Sequence, residues 1–165
     1  MASEYVFVDE WEVAAAPEDV YDTIVDARTY PDWWKPVYIA VEGDERETRH
    51  HFKGRLPYTL KMRARLVHEE RPRTFDVEVD GDLRGHGRWT FTPTAGGTRL
   101  CWDWKVYADR PVLRYLTPIL KPLFRWNHSW AVARAREGLE PYLRKAPPER
   151  SAAVRPSAAF AILKT

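Results

Sequence analysis

Hydrophobic and polar residues alternate along most of the chain. Tyr5, Phe7, Trp11 and Val13 share one face of an N-terminal strand, with Glu10 and Glu12 on the other and Asp9 on the apolar side. Ala16-Pro17-Glu18-Asp19 then opens a helix. Proline is tolerated in a first turn, and two carboxylates meet the positive end of the dipole. Val20, Ile24 and Val25 form its apolar stripe. The pattern predicts a stop before Tyr30-Pro31 and a second short helix from Asp32 to Lys35.

From Val37 to Ala108 the period is two, enough for six further strands. Val37, Ile39 and Val41 face inward in the first, and His50, Phe52, Gly54 and Leu56 in the second. Tyr58, Leu60, Met62, Ala64 and Leu66 then alternate with Thr59, Lys61, Arg63 and Arg65; the same parity turns His68 inward, as it turns His51 outward. Phe75, Val77 and Val79 follow, then Leu83 to Phe91 and Leu100 to Val106. The short turns Glu70-Arg71-Pro72, Asp80-Gly81-Asp82 and Ala95-Gly96-Gly97 make neighbouring strands antiparallel.

Two registers follow. A turn at Glu70-Arg71 sets Leu66 opposite Phe75, Ala64 opposite Val77 and Met62 opposite Val79. On the outer face Arg65 meets Asp76, Arg63 meets Glu78 and Lys61 meets Asp80, a charge ladder extended by Arg84, His86 and Arg88. A turn at Ala95-Gly96 sets Phe91 opposite Leu100, Trp89 opposite Trp102, Gly87 opposite Trp104 and Gly85 opposite Val106. Glycine opposite tryptophan leaves room above the sheet, which lines a cavity or bends the sheet.

From Pro111 to about Lys145 the period is helical. Prolines 111, 118 and 122 place the regular helix at Leu123 to Leu143. Phased at 100° per residue, Phe124, His128, Ala131, Ala135 and Tyr142 fall on one line, flanked by Asn127 and Gly138 on one side and Leu139 on the other. The small residues in its middle let the helix lie close to a sheet. These elements make one domain over residues 1–145. Residues 146–165, rich in proline and alanine, read as a tail with no face to bury.

Composition narrows the class. At 165 residues, 44% hydrophobic and 30% charged, the chain reads as one globular domain. A net charge of +2 argues against a dedicated nucleic-acid binder. The lone Cys101 excludes an intramolecular disulfide and a cysteine zinc site. Residues 1–10 show no basic start followed by an apolar run, and no stretch approaches the roughly 18 apolar residues of a membrane span. The expectation is a cytoplasmic monomer or homodimer without stable membrane insertion. The 8 tryptophans are the unusual feature, because indoles stack on planar ligands as readily as they fill a core.

Three segments occur in a telling order. The first is Phe7-x-x-x-Trp11-x-Val13-x-Ala15-x-Pro17-Glu18-Asp19-Val20-Tyr21. Asp26-x-x-x-Tyr30-Pro31-x-Trp33-Trp34 follows, then Phe124-Arg125-Trp126-Asn127-His128 with Gly138-Leu139. Together they give Tyr5 to Leu143 a pattern that resembles the helix-grip fold of the START-like, or SRPBCC, superfamily. That superfamily includes polyketide cyclase/dehydrases and quinone- and lipid-binding proteins. The resemblance implies an α+β fold: a curved antiparallel sheet of about seven strands gripping a long C-terminal helix, two short helices after strand one, and an apolar cavity between sheet and helix. The NTF2-like cone, which also hosts cyclases, begins with helices and ends on strands, the reverse of this chain.

Such a cavity holds a hydrophobic small molecule: polyketide, aromatic, lipid or quinone-like. Asp9 and His128 are the candidates for proton transfer, with no cofactor. For Asp9 the alternative is a solvated or paired strand-edge carboxylate; for His128, with Asn127, it is a hydrogen bond anchoring helix to sheet. The expected ligand walls are Trp11, Trp34, His50, Met62, Trp89, Trp102, Trp104, Phe124, Asn127 and Ala131. The histidine spacing matches no metal motif. Aromatase/cyclase members place an arginine in the pocket. Here Arg63 and Arg65 point outward, leaving Arg134 as the helix arginine to consider. The function is therefore either cyclase/dehydrase-type acid–base catalysis or passive ligand carriage and sensing.

Overall fold

The computed structural model describes the backbone of residues 3–108 and 111–145, with side chains over 4–107 and 121–145. Strand β1 (Ser3–Val13) leads into helix α1 (Pro17–Val25), a 3-10 turn (Ala27–Thr29) and helix α2 (Tyr30–Trp33). Six strands follow: β2 (Tyr38–Gly43), β3 (Glu47–Lys53), β4 (Thr59–Glu70), β5 (Thr74–Gly81), β6 (Leu83–Thr94) and β7 (Gly97–Ala108). Helix α3 (Pro111–Leu143) ends the described fold. All seven strands form one antiparallel sheet in the order β1-β7-β6-β5-β4-β3-β2. This is the α+β helix-grip arrangement. The tail over 146–165 lies outside the described residues.

The β6–β7 hairpin has the expected register, Phe91 opposite Leu100 through Gly85 opposite Val106. The β4–β5 hairpin does not. Ala64 pairs with Val79 and Leu66 with Val77, a displacement of the partner strand by two positions. Pro72 has no N–H to give a ladder, so it sits in the turn, which closes through Arg73 N to Glu70 O at 2.8 Å. A bulge at Val67 absorbs the odd residue. Beyond it the faces invert: His68 lies outward opposite Asp76 rather than inward, and Glu69 comes opposite the buried Phe75. The charge ladder survives in the shifted register, with Arg65 to Glu78 at 2.6 Å, Arg63 to Asp80 at 3.6 Å and Arg88 to Asp76 at 2.7 Å.

Three other expectations are corrected. Ile39 is the extra residue of a bulge in β2 and is 44% exposed, while its neighbour Tyr38 turns in. Helix α3 begins at Pro111, not near Leu123, and runs through the prolines at 118 and 122. Each proline removes a single N–H, and a helix bends around such a site and continues. Helix α2 starts at Tyr30, two residues early, because Pro31 falls in its first turn where the N–H is dispensable.

Val132, Ala135, Leu139, Tyr142 and Leu143 are buried on α3. The stripe is broader than one line because α3 packs on α1 and α2 as well as on β1. A Cβ on Gly138 would collide with the carbonyl oxygen of Trp33, so the glycine sets how closely α2 approaches. Trp34 Nε1 donates to Ala131 O at 2.8 Å and pins the same contact. Gly87 is also a close approach rather than open room. A Cβ there would stand 2.7 Å from Cε3 of Trp104, whose ring lies down across the sheet. At Gly85 the carbonyl of Lys105 occupies the space instead.

Candidate functional site

Against the inner face of the sheet lies a cavity of two lobes that share Trp34, Tyr38, Met62, Trp102 and Trp104. The larger lobe, about 360 Å³, runs between the sheet and the α1–α2 connection past Tyr30, His50, Phe75 and Trp89. Charged pairs rim its mouth: Arg71 grips Asp22 at 2.7 Å, and Arg28 grips Asp26 at 2.7 Å. The smaller lobe, about 130 Å³, lies beneath α3 and is bordered by Tyr5, Phe7, Tyr58, Phe124 and His128.

The indoles build the shared wall. Trp89 and Trp102, cross-strand partners in the β6–β7 register, stack with centroids 5.0 Å apart and planes 6° apart. Trp104 tilts against Trp102 at 5.3 Å. Trp11, expected on this wall, borders neither lobe. It meets Trp89 edge-on at 5.9 Å and carries the guanidinium of Arg136 at 5.4 Å from its ring centre. It therefore backs the aromatic wall from behind.

Asp9 and His128 come together. Strand parity puts Asp9 on the inner face opposite Trp102, and helical phase puts His128 on the stripe facing it. His128 Nε2 and Asp9 Oδ2 are 2.6 Å apart, with side-chain exposures of 14% and 18%. The imidazole also lies flat on Phe7, centroids 3.9 Å apart at 13°. Asp9 borders neither lobe, whereas His128, which it contacts, lines the smaller one. The contact engages Nε2 of the ring and leaves Nδ1 as its second nitrogen.

Asn127, also expected to touch ligand, has a clear structural task. Its Oδ1 accepts from Arg55 N at 2.8 Å, and Gly54 lies so close that a Cβ would strike the amide. The β3–β4 loop is thereby tied to α3 beside the smaller lobe, and Arg55 sits 5.0 Å from the Trp126 ring. Phe124, Asn127 and Ala131 border this lobe, while His50 and Trp89 border the larger. His50 is 5% exposed. Its Nε2 is 2.7 Å from Thr48 Oγ1, and burial pushes its pKa down to about 4, so the ring is neutral at neutral pH.

The ladder arginines stay outside, and Arg134 pairs with Glu137 at 2.6 Å without reaching either lobe. The arginines near ligand space are Arg28, Arg46 and Arg71 at the larger mouth, which the sequence reading missed. Asp26-x-Arg28 was a legible signal for one of them. Glu69 reaches the same rim only because of the Val67 bulge. Among the described residues no three His, Cys, Asp or Glu side chains gather closely enough to hold a metal ion, and no helix is long and apolar enough to cross a membrane.

Residues 6–140 match the family described as polyketide cyclase / dehydrase and lipid transport. Among solved structures, a START superfamily protein from Mycobacterium smegmatis is 20% identical with a TM-score of 0.65, covering 85% of this chain and 98% of that one. Protein CV1439 from Chromobacterium violaceum is 16% identical at 0.62, covering 86% and 99%. The di-domain ARO/CYC StfQ of the steffimycin biosynthetic pathway is 18% identical at 0.61, covering 84% of this chain but 52% of StfQ. This chain thus spans about half of that protein, and at these identities the likeness is one of fold. No curated protein matches the sequence.

Proposed function

The chain belongs to the polyketide cyclase / dehydrase and lipid transport family, and on that premise we propose that it binds a hydrophobic small molecule between sheet and α3 and acts on it by acid–base chemistry at His128. The observation that carries this reading is the 2.6 Å contact of His128 with Asp9 at the wall of an aromatic cavity. Asp9 holds the imidazole in one orientation and balances the charge of a transient imidazolium. Nδ1 takes a proton from a bound substrate and returns it elsewhere on the same molecule. Nothing else is required for enolisation, aldol-type ring closure or loss of water. The walls supply shape, folding a flexible ketone chain so that its reacting carbons meet. Arg63, outside on the ladder, takes no part.

A carrier reading rests on a different observation. The larger lobe, about 360 Å³, does not touch His128 at all. A ligand seated wholly there would be sheltered and left unchanged. Extraction of the purified protein followed by mass spectrometry separates the two. A cyclised or dehydrated product, or turnover of an added poly-β-ketone thioester, supports the enzyme. A lipid or quinone recovered intact, with no turnover, supports the carrier.

A further inference from the structure

Two polar atoms of the larger lobe's lining side chains are buried with no hydrogen-bond partner among the described residues: Trp102 Nε1 and His50 Nδ1. Trp102 belongs to the wall shared by both lobes. His50 belongs to one. It is more than nine-tenths buried, borders the larger lobe alone, and is clamped by Thr48 through Nε2. The edges of Tyr30 and Tyr38 enclose it, at centroid distances of 6.2 and 5.7 Å. A buried nitrogen without a partner is a standing penalty unless something fills the site.

We propose that the larger lobe is a binding site in its own right for a planar, uncharged ring system carrying a hydroxyl group, with His50 Nδ1 as its hydrogen-bond anchor. This rests on the reading that the cavity holds an apolar ligand, and adds which chemistry it selects. Three features define the class. The stacked pair Trp89–Trp102 and the neighbouring Trp34 favour flat π-systems over alkyl chains. The interior side chains are neutral. Burial lowers the pKa of His50 and raises those of Tyr30 and Tyr38, and Tyr30 already donates its hydroxyl to Ile24 O at 2.7 Å. A carboxylate ligand would find cations only at the rim, where Arg28 and Arg71 are held by Asp26 and Asp22 and Arg46 stands beside Asp44. Finally, Thr48 Oγ1 can donate to Nε2 or accept from it, so Nδ1 is donor or acceptor accordingly. A hydroxyl satisfies either tautomer.

The test uses equilibrium dialysis with naphthalene, 2-naphthol and 2-naphthoate against the full chain. Wild type is expected to bind 2-naphthol at least about tenfold more tightly than naphthalene, and 2-naphthoate no more tightly than naphthalene. His50→Leu should abolish the naphthol advantage while leaving naphthalene affinity in place, which also certifies that the variant is folded. His50→Gln, which puts an amide donor and acceptor in place of the ring nitrogens, should retain part of the advantage. Equal binding of naphthalene and naphthol to wild type, an advantage that persists in His50→Leu, or preferential binding of the naphthoate overturns the proposal. If none of the three binds, the cavity reading fails, and this one with it.

Discussion

His128 Nε2 on α3 and Asp9 Oδ2 on β1, 119 residues apart in sequence, meet at 2.6 Å where the C-terminal helix crosses the first strand. The contact ties the gripping helix to the sheet and fixes an imidazole at the cavity wall. If the two side chains act as a unit, their removal is not additive. Asp9→Asn and His128→Ala should each lower stability in urea, and the double variant should lose less than the sum by about 1 kcal/mol or more. Strict additivity would show that the pair is not formed in solution.

His50 gives a pH signature. Burial lowers its folded-state pKa to about 4, while the unfolded value is near 6.5. The unfolded chain thus takes up a proton as pH falls through 6.5 and the folded one does not. The resulting penalty is absent above that value, grows as pH falls and is complete below about 4, on the order of 3 kcal/mol. Denaturant titrations from pH 7 to pH 4 should show a shallower loss for His50→Leu than for wild type. Parallel curves would contradict the burial of this ring.

Gly138 and Gly96 form an internal control for packing. Alanine normally favours a helix over glycine, yet at Gly138 its Cβ would meet the Trp33 carbonyl oxygen, whereas at Gly96 it would meet nothing within 4 Å. Gly138→Ala should destabilise by about 1–3 kcal/mol and Gly96→Ala by no more than about 0.5 kcal/mol. Thermal melts of the two variants decide it.

Much of this molecule is legible in its alternation and turns. The β6–β7 register follows from a two-residue turn and cross-strand aromatic pairs, and helical phase alone selects His128. Failures occur where one residue is inserted. Bulges at Ile39 and Val67 leave no local mark in a period-two pattern, yet they expose Ile39, turn His68 outward and bring Glu69 to the larger lobe's rim. Asp9 and His128 could each be singled out, but their meeting depends on how β1 docks beside β7 beneath α3, which neither segment encodes by itself. The same holds for Trp11. Its parity is right, but whether an inward indole touches ligand or backs another indole is set by neighbours on three strands.

The outer ladder supplies the negative control for chemistry. Arg63 is 56% exposed and lies 3.6 Å from Asp80 on the face away from the cavity. Arg63→Ala should leave ligand binding unchanged and stability within about 1 kcal/mol of wild type. Loss of binding in this variant would mean that the faces of β4 are assigned the wrong way round.

The central claim is that an imidazole positioned by Asp9 moves protons on a ligand held in the cavity. Single-turnover conversion of a reactive poly-β-ketone thioester, followed by mass spectrometry for wild type, Asp9→Asn, His128→Ala and Arg63→Ala, tests it most directly. The account predicts a rate lower by about 100-fold or more in His128→Ala, a smaller loss in Asp9→Asn, unchanged substrate binding in both, and wild-type conversion by Arg63→Ala. Conversion at the wild-type rate by His128→Ala and Asp9→Asn would contradict it.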